Sequence, residues 1–215
     1  MNQTQWPAFA PLTGILFVVL VVLAFVVGGE TPDIQDTPQE VLNFYVDNDT
    51  DQIWAAALLG WGAVAFLFFL GVLTSTLRAV EGAIGRLSSV AFGGGVVLAL
   101  GMLAFAGFTF ALGDTADDGL TPEAAQALNA LNSDFFFPVA AGTGTLMIAT
   151  GIAVISSRIL PVWLGWIAVL VGIAAVTPVG FFAFLVFLVW TLIVSVLLWR
   201  AAGAPPAVPP RSPST

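Results

Sequence analysis

Long apolar runs alternate with short polar segments along the chain. A helix needs about 20 mostly apolar residues to cross the hydrocarbon core of a bilayer, and six runs meet or approach that length. No acidic residue, arginine or side-chain amide interrupts any of them. The pattern predicts an all-α, polytopic bundle of six transmembrane helices, at about residues 11–28, 53–75, 90–112, 135–157, 160–177 and 181–199.

The two polar segments that follow the first and third runs predict short helices outside the membrane. Thr37 is a good N-cap, Pro38 suits the first helical position, and Glu40 completes a capping box. Thr121-Pro122-Glu123 repeats this beginning. We expect outer helices at about 38–48 and 122–132. The repetition has two interpretations, an internal duplication or convergent use of the same helix start.

The apolar faces of these outer helices are expected to lie on the membrane surface or over the mouth of the bundle. Residues three and four apart share a helix face. The expected faces are Val41, Phe44 and Tyr45 in the first helix and Ala124, Leu128 and Leu131 in the second.

The charges separate according to the predicted loops. All five basic residues are arginines, and they fall between spans 2 and 3, between spans 4 and 5, and after span 6. Twelve of the 13 acidic residues fall in the loops on the opposite side. The positive-inside rule therefore predicts that both termini are cytoplasmic and that the acidic loops are extracytoplasmic. The first run is expected to be an uncleaved span, because no positive side chain precedes it and no Ala-x-Ala site follows.

Composition excludes several classes of function. Hydrophobic residues make up 59% of the chain and charged residues 8%, which is far below the charge that a soluble domain carries. Cysteine, histidine and lysine are absent, so disulfides, imidazole bases and Schiff-base chemistry are excluded. Ionisable residues inside the spans would indicate ion-coupled transport or a proton relay. None is present, and the sequence predicts a protein that is not an enzyme and has no cofactor.

Small residues at a spacing of four predict contacts between helices. Close approach of backbones along small faces is how helices associate in lipid. The expected packing seams are Ala91, Gly95, Ala99 and Gly107 on the third span and Ala141, Thr145 and Ala149 on the fourth. The alternative is that these faces form a groove for a lipid tail.

One acidic cluster is a candidate calcium site. Asp47, Asp49 and Asp51 begin like an EF-hand loop, but Gln52 replaces the glycine at the sixth position and Leu58 the glutamate at the twelfth. An EF-hand is excluded. A looser site that is joined by Asp134, or by Asp114, Asp117 and Asp118, is one hypothesis. The other is that these carboxylates cap helices or are solvated.

Polar side chains of the outer segments are candidate ligand contacts at the mouth of the bundle. They are Asn43, Tyr45, Asn129 and Asn132. A continuous cavity lined by Thr109, Thr143, Thr145 and Thr150 would favour transport. Hydroxyls bonded within their own helices, around a centre filled by Phe and Leu, would argue against it.

Several motifs carry a resemblance to a known group of proteins. They are Arg86-Leu87-Ser88-Ser89 followed by Val90-Ala91-Phe92-Gly93-Gly94-Gly95, the segment 120–132, Leu160-Pro161-Val162-Trp163-Leu164-Gly165-Trp166, and Thr177-Pro178-Val179-Gly180-Phe181-Phe182. In these the chain resembles uncharacterised six-span integral membrane proteins common in actinobacteria. The resemblance implies a multi-pass protein of a bacterial plasma membrane and carries over no activity.

The sequence favours a non-catalytic membrane protein, either an accessory or scaffold subunit or a binder of lipid-like molecules. The alternative is a transporter or channel-like protein for an uncharged or amphiphilic solute that enters at the extracytoplasmic mouth. The expected partners are the lipid bilayer and either a second copy or another membrane protein, with no nucleic acid. The proline-rich tail at 201–215 is predicted to be a disordered cytoplasmic end.

Overall fold

The computed structural model describes residues 9–81, 85–134 and 136–202 of the chain. In these residues the fold is all α-helical and contains no strand. A 3-10 turn at Ala10–Leu12 leads into the first of eight α-helices. The helices are α1 (Thr13–Gly28), α2 (Pro38–Asp47), α3 (Asp49–Glu81), α4 (Arg86–Thr115), α5 (Pro122–Asp134), α6 (Phe136–Ser157), α7 (Val162–Ala175) and α8 (Gly180–Ala202).

Five helical segments of the described residues are long and apolar enough to cross a membrane. They contain α1, α3, α4, the α5–α6 pair and α8. Helix α7 is apolar but has only 14 residues, which at 1.5 Å per residue is about 21 Å. The structure therefore supports a helical membrane protein with five long spans, and the predicted fifth span is shorter than the sequence suggested.

The ends of the outer helix α2 follow the sequence closely. The capping box is confirmed: Thr37 Oγ1 accepts from the backbone N–H of Glu40, and the Glu40 carboxylate accepts from the backbone N–H of Thr37 at 2.9 Å. Asp47 ends α2, Asn48 is its C-cap, and α3 begins at Asp49. The tail predicted at 201–215 lies outside the described residues from residue 203 onward, since α8 continues to Ala202.

The long helices pack antiparallel in a ring. Helix α1 lies against α3, α3 against α4, α4 against α6, α6 against α7, α7 against α8, and α8 returns to α1. Phenylalanine side chains pack together where α1, α3 and α8 meet. The centroids of Phe17 and Phe66 are 5.0 Å apart, Phe187 lies 6.1 Å from each, and all three side chains are fully buried. Such tilted contacts between rings are favourable beyond the area they bury.

Glycines bring α6 and α7 into close contact. A Cβ at Gly151 would lie 2.6 Å from the carbonyl oxygen of Gly165, and one at Gly172 would lie 2.9 Å from that of Gly144. Gly144 and Gly151 are seven residues apart on α6, and Gly165 and Gly172 are seven residues apart on α7. This spacing places both glycines of each helix on one face. The backbones touch here because no side chain separates them.

The predicted packing seams are correct in part. Ala91, Ala99 and Ala149 are buried, and Gly95 packs against Leu70 of α3. The other two predicted residues of α6 are less buried: Ala141 is half-buried and Thr145 is exposed. Thr145 nevertheless lies close to α4, since a Cβ built on Gly94 would be 2.8 Å from the Thr145 Cβ.

The prediction for Gly107 is wrong. This glycine is exposed, and a Cβ there would meet none of the described residues within 4 Å. A row of residues at a strict spacing of four turns by about 40° at each step, because a helix has 3.6 residues per turn. Gly107 is four steps beyond Ala91 and has therefore rotated away from the packed face.

The antiparallel packing places the described arginines at one end of the bundle. Arg78 lies in the last turn of α3, Arg86 begins α4, Arg158 follows α6 and Arg200 lies in the last turn of α8. Helices α2 and α5 lie at the opposite end, and they form a unit that we call the cap. The acidic residues other than Glu81 are found at the cap end.

Candidate functional site

The cap has a small hydrophobic core of its own. Val41 and Tyr45 of α2 are fully buried against Leu112 and Ala116 at the end of α4 and Ala125 of α5. Phe44 and Leu128 pack at the edge of this cluster. The apolar face predicted for α2 is therefore confirmed, and it covers the mouth of the bundle.

The face that α5 buries is different from the predicted one. Ala125, Asn129 and Asn132 are buried, whereas Leu131 is 43% exposed. These three share a face at spacings of four and three residues. The amides lie inside because hydrogen bonds to neighbouring segments satisfy most of their polar atoms, which offsets the cost of removing them from water.

Hydrogen bonds of the Asn129 side chain join the two cap helices to each other and to the loop between α1 and α2. Its Oδ1 accepts from the Tyr45 hydroxyl at 2.7 Å, and its Nδ2 donates to the carbonyl of Pro32 at 3.1 Å. A second amide, Gln126, donates to the carbonyl of Asp36 at 2.9 Å. Burial raises the pKa of Tyr45 to about 12, because the phenolate would lose its hydration.

Asn132 is one of several buried side chains of the described residues with a polar atom that has no hydrogen-bond partner, and it is the one among them that lines a cavity beneath the cap. Its Nδ2 donates to the hydroxyl oxygen of Thr109 at 3.2 Å, and Thr109 in turn donates to the carbonyl of Phe105 at 3.1 Å. The Oδ1 of Asn132 is buried and has no hydrogen-bond partner among the described residues. A buried carbonyl oxygen without a partner costs about 1–3 kcal/mol.

Asn132 lines two adjoining cavities beneath the cap, which we call the chamber. Their volumes are about 110 Å³ and about 220 Å³. Both are lined by Phe25 and Thr31 of the first helix and its following loop, by Leu59 of α3, and by Phe105. An apolar cavity of about 150 Å³ holds one benzene molecule, so the chamber has room for the head and first carbons of a ligand.

The walls of the chamber are mainly apolar, and one side meets the outer surface of the bundle. The other residues that line the larger cavity are Met102, Ser133, Phe136, Val139, Phe181 and Phe184. Phe25 of α1 and Phe181 of α8 meet edge to face at 6.2 Å, and their side chains are 43% and 46% exposed. These two rings therefore lie where the larger cavity meets the outer surface of the bundle.

Gln52 is a lining residue that the sequence reasoning did not identify as part of a site. It lies in the first turns of α3, is 1% exposed, and its Nε2 donates to the carbonyl of Gly28 at 2.7 Å. The bond satisfies a carbonyl at the end of α1, where helices leave such groups unpaired. The available signal was an amide directly before an apolar run, on the face that continues as Ala55, Ala56 and Leu59.

The structure separates the four predicted mouth residues. Asn43 is exposed and accepts a hydrogen bond from Gln39 at 2.8 Å. Tyr45 and Asn129 are buried in the cap, where they bond to each other, and neither lines the chamber. Asn132 alone of the four reaches the chamber.

The hypothesis of a calcium site is not supported by the geometry. Asp47 ends α2, while Asp49 and Asp51 lie in the first turn of α3. Residues two apart on a helix point in directions about 200° apart, so the carboxylates of Asp49 and Asp51 diverge. Asp49 accepts from the backbone N–H of Thr50. No group of three acidic side chains able to hold a metal ion occurs in the part of the chain that the structure describes.

The threonines proposed for a transport route do not line the chamber, apart from Thr109. Thr145 donates to the carbonyl of Ala141 within its own helix at 2.9 Å. Thr143 and Thr150 are fully buried, with hydroxyls that have no partner among the described residues, and neither lines either cavity.

The fold is a bundle of helices, and five helical segments of the described residues are long and apolar enough to cross a membrane. No protein-family model matches this chain, and neither the curated proteins nor the solved structures give a significant match.

Proposed function

We propose that this chain is a non-catalytic, six-span protein of a bacterial plasma membrane that binds a lipid-like molecule at its extracytoplasmic end. The observation that carries the proposal is the unpaired, buried Oδ1 of Asn132 at an apolar chamber. Apolar pockets with a few placed polar groups are the usual form of small-molecule sites.

The six-span topology is supported by the directions of α6 and α8. Both begin at the cap end, since Phe136 of α6 lies 6.2 Å from Phe181 of α8. The segment between them must therefore return from the arginine end to the cap end. Helix α7 does this, with Trp190 of α8 donating to the carbonyl of Leu164 near its start at 3.1 Å. Its length of about 21 Å is short for a bilayer, so the turns at both ends contribute to the crossing.

The proposed orientation places the arginine end in the cytoplasm and the acidic cap outside. The chain has no cysteine, so single-cysteine variants can be labelled without background. We expect a membrane-impermeant maleimide to label Asn43→Cys in intact cells. Ser157→Cys, at the other end of the bundle, should react only after permeabilisation. Labelling of Ser157→Cys in intact cells would overturn the orientation.

Binding is tested by native mass spectrometry of the full chain, released from its own membrane in mild detergent. The expected result is a stoichiometric adduct of lipid mass. The variant Thr31→Phe should remove the adduct, because Thr31 is at the exposed rim of both cavities and a ring there fills the entrance. Ile34→Phe is the matched control, since Ile34 is exposed in the same loop and lines neither cavity.

A bare monomer that also fails to take up added amphiphile would contradict the proposal. A defined homo-oligomer or a stable protein partner without an adduct would instead favour the accessory or scaffold role. Transport of an uncharged solute has less support than binding, because Thr143, Thr145 and Thr150 line neither cavity, and the rings of Phe17, Phe66 and Phe187 are fully buried against one another.

A further inference from the structure

We propose that the chamber selects an amphiphile with an uncharged, hydrogen-bond-donating head, of the long-chain alcohol class, and that the Oδ1 of Asn132 is the acceptor that recognises its hydroxyl. This inference rests on the proposed binding function and specifies the ligand of the same site.

The preference for a donor follows from the hydrogen bonds already made around the chamber. The Thr109 hydroxyl donates to the carbonyl of Phe105, and the Gln52 amide donates to the carbonyl of Gly28. The Asn132 amide nitrogen donates to Thr109. The Oδ1 of Asn132 remains as a buried acceptor with no partner among the described residues. A ligand hydroxyl satisfies it, whereas a ligand with only acceptors does not.

The preference for an uncharged head follows from the lining. No aspartate, glutamate or arginine is found among the residues described as lining either cavity. An ion that entered would lose its hydration without gaining a partner of opposite charge, which is a large cost in an apolar site. The acidic cap end also repels an anionic head group as it approaches.

The tail of the ligand leaves on the side of Phe25 and Phe181. Hydrogen bonds of Tyr45, Asn129 and Gln126 link the cap helices to each other and to the loop at 32–36. Phe25 and Phe181 are instead half exposed on the apolar surface of the bundle. The chamber volumes of about 110 and 220 Å³ hold only the head and first carbons, so the remaining chain lies among the lipid tails.

The test uses the full chain in lipid nanodiscs and four probes of equal chain length: dodecanol, dodecyl methyl ether, dodecanoate and dodecylammonium. Each is measured by competition or native mass spectrometry on the wild type and on Asn132→Leu. Comparing each probe between the two proteins cancels its partitioning into the bilayer. We expect the ratio of alcohol to ether affinity to be about tenfold higher in the wild type, as one buried hydrogen bond provides.

Asn43→Leu is the control for the amide, because Asn43 is exposed and outside the chamber. It should keep the wild-type ratio. Equal binding of alcohol and ether by the wild type would overturn this inference while leaving the proposed binding function intact, and so would stronger binding of either charged probe. Absence of binding by all four probes would contradict the binding function itself. If Asn132→Leu does not fold, the partitioning of each probe is measured in empty nanodiscs, and the corrected comparison of alcohol with ether within the wild type decides the question.

Discussion

The hydroxyl of Tyr45 donates to the Oδ1 of Asn129 at 2.7 Å, across 84 residues of sequence. Both side chains are almost completely buried. The Nδ2 of the same amide donates to the carbonyl of Pro32, so one asparagine connects α2, α5 and the loop that follows α1. The cap is therefore held by a specific polar contact as well as by its apolar core.

Replacing Tyr45 by Phe should destabilise the cap. The substitution keeps the ring in the core of the cap but leaves the Oδ1 of Asn129 buried without its donor. Such an unpaired group costs about 1–3 kcal/mol. Hydrogen exchange of the full chain in detergent should show faster exchange in α2 and α5, with little change in α3 and α4.

The control for this change is Asn43→Ala on the same helix. Asn43 is exposed and bonds only to the exposed Gln39 in the described contacts, so exchange in the cap should stay near that of the wild type. Unchanged protection of α5 in Tyr45→Phe would show that the hydrogen bond does not hold the cap.

Tyr45 also predicts a loss of stability at high pH. Burial raises the pKa of its hydroxyl to about 12 in the folded chain, against 10.0 for an exposed tyrosine. The folded state therefore holds the Tyr45 proton more tightly than the unfolded state does. The contribution of the neutral Tyr45 to the free energy of unfolding is complete below a pH of about 10 and is lost as the pH rises to about 12. Tyr45 is the single tyrosine of the chain, so tyrosinate absorbance reports it directly. Ionisation near pH 10 in the folded protein would contradict the burial.

The capping box of α2 predicts a smaller effect at low pH. The Thr37 hydroxyl and backbone N–H donate to the Glu40 carboxylate and hold the pKa of that carboxyl below its usual value. Stability from this contact is present above the unfolded pKa and is lost as the pH falls through the folded one. Thr37→Ala should cost about 0.5–2 kcal/mol and weaken this pH dependence. Thermal unfolding at neutral and acidic pH measures both effects.

The glycine contacts between α6 and α7 predict a sharp difference between two similar substitutions. Gly151→Ala places a Cβ 2.6 Å from the carbonyl oxygen of Gly165 and 2.9 Å from the backbone nitrogen of Val169, so the helices must separate. Gly107→Ala meets open space among the described residues and should be neutral or stabilising by up to about 1 kcal/mol. We expect Gly151→Ala, but not Gly107→Ala, to unfold at a lower temperature than the wild type. Equal unfolding temperatures for the two variants would contradict the close glycine contact between α6 and α7.

Hydropathy and helix-start residues were sufficient to predict where the helices lie. Apolar runs locate the spans because the bilayer requires a minimum length, and Thr37 with Glu40 locates α2 because the capping box is a local interaction. The shortness of α7 is the exception. Its helix begins at Val162 after Pro161 and ends at Ala175, before the turn at Thr177 and Pro178.

The site was less predictable because it depends on contacts between distant segments. Asn132 was recognised as a mouth residue, but its pairing with Thr109 and its unpaired oxygen depend on how α5 lies over α4. Gln52 was assigned no role because its partner, the carbonyl of Gly28, is 24 residues away. The seam of Gly144 and Gly151 was missed because a spacing of four was given more weight than a spacing of seven.

Asn129 and Asn132 lie one turn apart on α5, and replacement by Leu should lower the free energy of unfolding at Asn129 but not at Asn132. Asn129→Leu leaves the Tyr45 hydroxyl and the Pro32 carbonyl buried without partners, which should cost about 1–3 kcal/mol. Asn132→Leu removes an oxygen that already lacks a partner, and Thr109 keeps its own bond to Phe105, so the free energy of unfolding should stay the same or rise by about 1 kcal/mol. Thermal unfolding of the ligand-free full chain measures both variants. Equal destabilisation would mean that Asn132 serves the fold, whereas a loss at Asn129 alone would mark Asn132 as a residue retained for binding at a cost in stability.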